Sequence, residues 1–257
     1  MAAKTYKTRG IVLRKTKLGE KDLIVTILDE SGSLVRAVAK GARKPGGSYA
    51  ARLELFSIVD LMMAKGRNLD VITSAAFSDG DSGCTLFGIE QSSCASALAE
   101  LLSVLAQEDL PHERLYDMSR SAFERIGASD PMQALALTCS ALLKALAYTG
   151  FRPSFSNCVA CGCGIGLSSL TGSIPFSLED GGAVCQRCMR PSDAIDVDVN
   201  VIQWADSLMR ARFDDIASFE VSEAPLFDVL QLARQWTRVH VGKNLKSIDF
   251  LLVCGLF

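Results

Sequence analysis

The stretch IVLRKTKLGEKDLIVTIL, Ile11 to Leu28, decides the fold of the first third of this chain. Ile11 to Lys17 opens on β-branched residues, Leu18-Gly19-Glu20-Lys21 is a turn, and Leu23 to Leu28 is an apolar strand ended by Asp29-Glu30-Ser31-Gly32. The pattern continues outward from this hairpin. Leu34 to Ala39 alternates, so Arg36 and Lys40 share one face and Val35, Ala37 and Ala39 the other, because successive side chains point to opposite sides of a strand. A basic, glycine-rich loop follows from Gly41 to Tyr49. A long strand from Arg52 to Met63 turns at Lys65-Gly66-Arg67-Asn68 into a fifth strand, Leu69 to Thr73. Five strands on short turns predict a five-stranded oligonucleotide-binding (OB-fold) β-barrel, and an SH3-like barrel fits the same pattern.

Charge separates this region from the rest. Residues 1–78 carry 14 Lys and Arg against 7 Asp and Glu, whereas the other 179 residues carry 13 against 22. A chain of net charge −2 is therefore a basic head on an acidic body, a pointer to a polyanionic partner for the head. Arg14, Lys17, Lys21, Arg36, Lys40, Arg43, Lys44 and Arg67 are the candidate nucleic-acid-binding residues. The plainer reading makes them an ordinary solvated barrel face. Tyr6, Tyr49, Phe56 and Phe77 are the only aromatic residues in the region, and alternation assigns Phe56 to the core. With so few stacking platforms, binding is expected to be phosphate-dominated, tolerant of sequence and sensitive to salt.

At 257 residues the chain can form two or three small domains with cores of their own. Met1 to Arg9 is polar and basic with no apolar stretch behind it, and no apolar run is long enough to span a bilayer, so neither export nor a membrane location is expected. Nine cysteines, an odd number, argue for a reducing cytosol in which paired cysteines hold metal rather than disulfides. Beyond a linker from Asp79 to Cys84 the hydrophobic period lengthens to that of helices. One runs from Leu86 to near Gln107 with Leu98, Leu101, Leu102 and Leu105 on one face. A second is opened by Asp109-Leu110-Pro111 and stopped by Gly127. A third is started by Asp130-Pro131, runs from Ala134 to Tyr148 and stops at Gly150. Val199 to Phe213 and Glu223 to Val241, the latter capped by Ser222, carry further amphipathic stripes. The expected organisation is a barrel over 1–80, a helical domain in two parts over 81–155 and 191–257, and a cysteine-rich insertion over 156–190.

That insertion holds Cys158-Val159-Ala160-Cys161 and Cys185-Gln186-Arg187-Cys188, two C-x-x-C pairs with 23 residues between them. Two residues between cysteines let both thiolates of a turn face one ion, and two such turns complete a tetrahedron, so Cys158, Cys161, Cys185 and Cys188 are the candidate ligands of a structural zinc, the competing reading being a set of free or redox cysteines. Cys163 stands close enough in sequence to substitute for Cys161, but only Cys161 keeps the x-x spacing. The segment between the pairs, Ile165 to Val184, reads as a small hairpin, while Cys84, Cys94, Cys139 and Cys254 read as small buried hydrophobes. Four thiolates leave no open metal position. There is also no phosphate-binding loop, no H-E-x-x-H and no deaminase-type H-x-E, and the two histidines, His112 and His240, each fall on an expected helix. No catalytic residue is assigned, and no enzyme is expected.

The order of features, together with Arg9-Gly10-Ile11-Val12-Leu13, Leu18-Gly19-Glu20-Lys21-Asp22, Ala39-Lys40-Gly41-Ala42-Arg43, Leu53-Glu54-Leu55-Phe56-Ser57 and Gly242-Lys243-Asn244-Leu245-Lys246-Ser247, resembles the RecO family of bacterial recombination mediators over nearly the whole chain. The resemblance implies a cytoplasmic, nucleoid-associated, non-enzymatic protein of the RecFOR pathway. Such a protein binds single- and double-stranded DNA, anneals complementary strands, and works with RecR to load RecA. It is linked functionally to RecF and also binds the acidic C-terminal tail of the single-stranded DNA-binding protein. The expected class is thus α+β multidomain: an N-terminal OB-fold barrel, then an all-α domain carrying a four-cysteine zinc-binding insertion. The alternatives are a zinc-stapled RNA-binding barrel protein and a protein adaptor that binds no nucleic acid.

Overall fold

A computed structural model describes residues 4–44, 52–78 and 87–257. Five strands, β1 (Thr5–Leu18), β2 (Asp22–Asp29), β3 (Leu34–Ala39), β4 (Ile58–Ala64) and β5 (Asp70–Phe77), close a barrel in the order β1-β2-β3-β5-β4. All neighbours are antiparallel except β3 and β5, and this Greek-key closure is that of the OB-fold. The long β1 makes closure possible, because its first half pairs with β4 from Thr5↔Ala64 to Ile11↔Ile58 and its second half pairs with β2 from Gly10↔Asp29 to Leu18↔Asp22. Gly10 lies where both pairings meet. A Cβ there would stand 2.3 Å from Ile27 Cγ2 and 2.9 Å from the Leu28 carbonyl oxygen, so the crossing of the two ladders needs a glycine. A register shift between Val12 and Arg14 bends the strand further. Val12, Val25, Ile27, Ala37, Ala39, Leu53, Val59, Leu61, Met63 and Ile72 fill the interior.

The fourth strand is shorter than its sequence suggests. Leu53 is buried in the barrel core, yet residues 52–57 form turns and β4 begins only at Ile58. Phe56 takes a left-handed φ of 69° while its N–H bonds the Val12 carbonyl at 2.8 Å. Its ring is buried, but against Phe87 and Phe123 at 5.2 and 5.6 Å and not in the barrel interior. Apolar residues at every second or third place satisfy successive turns over a core as well as they satisfy a strand. The fifth strand conversely extends four residues past the expected Thr73.

Two compact units are formed, Met1–Gly88 with Ala99–Ala128 and Ile89–Leu98 with Ser129–Phe257. The first adds α2 (Glu113–Ala128) to the barrel, and α1 (Ile89–Leu105) is divided between the units. Helix α2 starts later than its sequence suggests, because Asp109 turns the chain with φ 58° and Gln107 bridges Leu110. Gly127 does not stop it but keeps helical geometry inside the last turn.

The second unit centres on α3 (Pro131–Tyr148), capped by the Asp130 carboxylate accepting from the Gln133 N–H at 3.0 Å and buried nearly all round. Against it pack α4 (Val199–Arg210), a short α5 (Phe213–Ile216) and α6 (Glu223–His240). One helix was expected over Val199 to Phe213. The chain leaves helical geometry at Ala211, whose carbonyl-side ψ is 146°, and so makes two. The Ser222 side chain makes no cap bond, although α6 does begin after it. A closing helix, α7 (Lys246–Val253), was not foreseen. The cysteine-rich segment contains a 3-10 turn at Leu167–Ser169 and the strands β6 (Ser173–Ser177) and β7 (Gly182–Ala183). A third strand missed by the sequence reading, β8 (Ile195–Asp198), pairs with β6. Phe176 on β6 stacks on Phe155 and meets Trp236 edge-on at 5.8 Å, which ties the sheet to α6. Among the described residues no helix is long and apolar enough to cross a membrane.

Candidate nucleic-acid interface and metal centre

The barrel positions its cations through two loops at one end. Antiparallel pairing of β1 with β2 and of β2 with β3 puts the turn after Leu18 beside the exit of β3, with Leu18↔Asp22 and Leu23↔Ala39 as the last partners. Three hydrogen bonds lock the two loops together. The Gly41 N–H donates to an Asp22 carboxylate oxygen at 2.8 Å, the Arg43 N–H to the Lys21 carbonyl at 3.0 Å, and the Arg43 guanidinium to the Gly19 carbonyl at 3.1 Å. Lys21, Lys40, Arg43 and Lys44 are thereby gathered on two tied loops, all exposed, with Lys17 at the adjoining end of β1. Glu20 is the one acid exposed in the same turn. Arg14 and Arg36 form a second group, since Arg14 is opposite Thr26 and Thr26 opposite Arg36. The register therefore sets the two guanidiniums in one row on the outer face of three neighbouring strands. Arg67 stands apart from the two tied loops, although Asp70, three residues on, pairs with Ala37 and so sets the Arg67 turn beside the Arg36 side of β3. The turn is fastened to the start of β1 by Lys65 N–H to Lys4 carbonyl at 2.9 Å, the opposite end of that strand from Leu18.

Three other cations of the barrel wall are paired with acids. Arg9 makes a two-pronged bond to Asp60 at 2.7 and 3.2 Å, Lys15 pairs with Glu54 at 2.6 Å, and Lys65 with Asp70 at 3.3 Å. None of the eight candidates makes an ion pair among the described residues, so their charge is available to a ligand. The aromatic residues are equally committed. The Tyr6 hydroxyl donates to Asp70 and its ring lies 5.0 Å below the Lys65 ammonium, and burial with the Asp70 charge pushes its phenol well above the usual range. Burial alone would raise the Asp70 carboxyl, but bonds from Tyr6, the Gly66 N–H and Lys65 hold it below the ordinary value. Phe56 and Phe77 pack on apolar neighbours, while Tyr49 and Pro45 lie outside the described residues. The described aromatic residues of the barrel are thus engaged with protein neighbours.

The second centre is built from sulfur. The Sγ atoms of Cys158, Cys161, Cys185 and Cys188 lie within 4.8 Å of one another, with Cys158 3.9 Å from Cys188, Cys161 3.8 Å from Cys185, and Cys185 3.7 Å from Cys188. A tetrahedral ion bound at about 2.3 Å by four sulfurs sets them about 3.8 Å apart, so the four cysteines are spaced to hold one metal ion. Local backbone geometry makes the spacing. Gly162, at φ 73°, lets the chain reverse so that its own N–H bonds the Cys158 carbonyl and the Cys158 N–H bonds the Cys163 carbonyl, both at 2.8 Å. The Cys185 N–H points at Cys158 Sγ from 3.3 Å. Backbone bonds draw the Cys185 thiol down to about 6 and lower that of Cys158, while neighbouring sulfurs raise Cys161 and Cys188. Cys163 is not one of the four, but its Sγ stands 3.3 Å from that of Cys161. Arg187, which the sequence reading passed over, lies near enough to the Cys163 and Cys185 sulfurs for their negative charge to raise its guanidinium above the ordinary range. Its signal was its place inside the second C-x-x-C pair.

Among the described residues Cys94, Cys139, Cys254 and the histidines lie outside the four-sulfur cluster, and Cys254 is only partly buried and not the buried hydrophobe expected of it. Burial pushes the Cys94 thiol up to about 12 and raises Cys139 further, as expected of packed hydrophobes. Cys84 is outside the described residues. His112 precedes α2, and His240 ends α6 against the Trp236 ring at 4.1 Å with Nε2 2.7 Å from the Leu178 carbonyl.

Comparison with known proteins covers both units. The chain matches the family model described as Recombination protein O N terminal over residues 1–80 and the model described as Recombination protein O C terminal over residues 86–249. It is 31% identical to a protein of Bifidobacterium animalis subsp. lactis (strain AD011) named DNA repair protein RecO, in a match covering 96% of this chain and 98% of that one.

Proposed function

Since the chain belongs to the recombination protein O (RecO) family, we propose that it is a DNA repair and recombination mediator whose barrel holds DNA by its phosphates. The observation that carries this reading is the cluster of Lys21, Lys40, Arg43 and Lys44 on two tied loops, exposed and free of acidic partners, on a barrel whose described aromatic residues are all engaged elsewhere. Such a surface binds single and double strands alike. By neutralising phosphates on two strands at once it lowers the repulsion between them and promotes annealing of complementary sequences. The acidic helical unit stays off the DNA and is the place for protein partners. These are RecR, with which RecA is loaded onto strands coated by the single-stranded DNA-binding protein, and the C-terminal tail of that coating protein, with RecF acting in the same pathway. The protein works in the cytoplasm, at the nucleoid, and catalyses no covalent step of its own. Cys158, Cys161, Cys185 and Cys188 hold a structural Zn²⁺, the ion best matched to four thiolates in a tetrahedron. When bound it supplies a cross-link between two turns.

The test is titration of a fluorescent single-stranded oligonucleotide across a salt series, followed by addition of the complementary strand. Binding is expected to weaken steeply with salt. Lys40→Glu with Arg43→Glu should weaken it at least tenfold at physiological salt and flatten the logarithmic salt slope by about 1.4, at about 0.7 for each lost single-strand phosphate contact. The melting temperature should stay within a degree or two of the wild type. Undiminished affinity in that variant would remove the barrel from the mechanism.

A further inference from the structure

A fifth cysteine beside a four-cysteine centre is more than the metal needs. Cys163 Sγ stands 3.3 Å from Cys161 Sγ, and Cys161 is the most exposed of the four ligands. Only Gly162 separates them, and its left-handed φ of 73°, with no atom within 4 Å of where a Cβ would sit, turns both side chains toward each other in an open place. We propose that Cys161 and Cys163 form a peroxide-responsive pair, in which a disulfide between them withdraws Cys161 from the metal and releases the ion. The inference rests on the reading of the centre as a metal site.

The chemistry balances. Cys163, the sulfur not shared with the ion, attacks hydrogen peroxide or another hydroperoxide. An S–O bond forms, the O–O bond breaks, and the leaving hydroxide takes a proton to become water. Cys161 Sγ then attacks the sulfenic sulfur of Cys163. The S–S bond forms, the S–O bond breaks, and the leaving hydroxide takes a proton from solvent to become a second water. The thiol of Cys163 and the metal-bound thiolate of Cys161 have together given two electrons to one peroxide. Cys161 is now half of a disulfide and no longer an anionic ligand, so three thiolates remain and the ion is held far more weakly. A thiol reductant with fresh metal reverses the change.

The experiment uses the full-length protein loaded with Zn²⁺. Hydrogen peroxide is added, released zinc is followed with a chromogenic chelator, and disulfides are mapped by mass spectrometry after alkylation. The wild type should release one zinc per chain and yield a Cys161–Cys163 disulfide, both reversed by dithiothreitol. Cys163→Ser should still bind one zinc per chain and release it at least tenfold more slowly, while Cys94→Ser, a buried control, should behave as the wild type. Release from Cys163→Ser at the wild-type rate, or a disulfide mapping elsewhere, would overturn the inference and leave the metal site standing. A wild type unable to bind zinc would overturn both.

Discussion

The barrel and the cysteine knuckle are both small β structures, held together by different means. The barrel closes on itself around a continuous interior of Val12, Val25, Ile27, Val59, Leu61 and Met63. With stability supplied from within, its two tied loops are free to carry cations that make no ion pair among the described residues. The three-stranded sheet of the knuckle has strands of five, two and four residues and leans on Phe155 and Trp236 for much of its apolar contact. Its outer turns, which carry Cys161, Cys185 and Cys188, have no comparable interior beneath them. A core fixes a backbone from inside, whereas a cross-link fixes one that has no inside. Ligand-binding charge therefore sits on the first structure and ligand-binding sulfur forms the second.

That contrast can be broken or sharpened by experiment. Cys158→Ser with Cys185→Ser should have the largest effect, eliminating metal binding and costing on the order of 5 kcal/mol locally. This is less than the roughly 10–16 kcal/mol apparent for free zinc fingers, because β6 remains anchored on Trp236. Limited proteolysis should then cut within residues 156–190 while DNA binding persists. Retained protection without metal would show that the knuckle has a sufficient core after all. Ile27→Ala, which empties a fully buried barrel position, should cost about 2–5 kcal/mol in denaturant unfolding and leave zinc at one per chain. Loss of the metal in that variant would mean that the two structures are not independent.

A third test uses pH. Burial lowers the Lys144 ammonium to about 8 although it donates to Ser140 Oγ and the Leu208 carbonyl, at 2.5 and 2.7 Å. The unfolded chain, with an ordinary value near 10.5, keeps this proton to higher pH than the folded one. Folding stability should therefore rise as pH increases from about 8 to 10.5, by roughly 1–3 kcal/mol, and stay flat with respect to this group below 8. Lys144→Met should abolish the rise, and urea midpoints across that range, compared between the two proteins, measure it. The smallest effect is expected of Arg67→Glu. Its turn lies at the far end of β1 from the cation-bearing loops, and oligonucleotide affinity should change by less than about threefold. A loss equal to that of the Lys40 and Arg43 variant would extend the DNA path along the whole barrel wall.

Much of this was legible along the chain, and the reasons differ from element to element. Strands β2 and β3, the second half of β1 from Ile11 and helix α3 announce themselves through local signals, an alternating pattern with glycine turns in one case and Asp130-Pro131 as cap and first turn in the other, whereas the Thr5–Gly10 half of β1 was not read as strand. The four ligands of the knuckle are visible because metal coordination demands a fixed local spacing. The misplaced start of β4 and the late start of α2 have a common cause. Leu53, Phe56 and Asp109 take conformations set by what they pack or turn against, and neither hydrophobicity nor propensity encodes such partners. Strand β8 escaped notice because its four residues gain their identity only from pairing with β6.

The sequence by itself determined the basic head and acidic body, the barrel-then-helices order, the family likeness and the four-sulfur set, since charge, period and ligand spacing are all properties of near neighbours. Tertiary structure alone decided which cations act together. Lys21 and Lys40 are 19 residues apart and Arg14 and Arg36 are 22 apart, yet ladder register joins each pair, while Arg67, equally basic and equally exposed, is sent to the other end of a strand. It also decided that Arg9, Lys15 and Lys65 are bound to acids and that Cys163 rests against Cys161. Pairings of that kind are fixed by how a closed barrel and a reversed turn bring side chains together in space, and a count of charges or thiols along the chain carries no record of them.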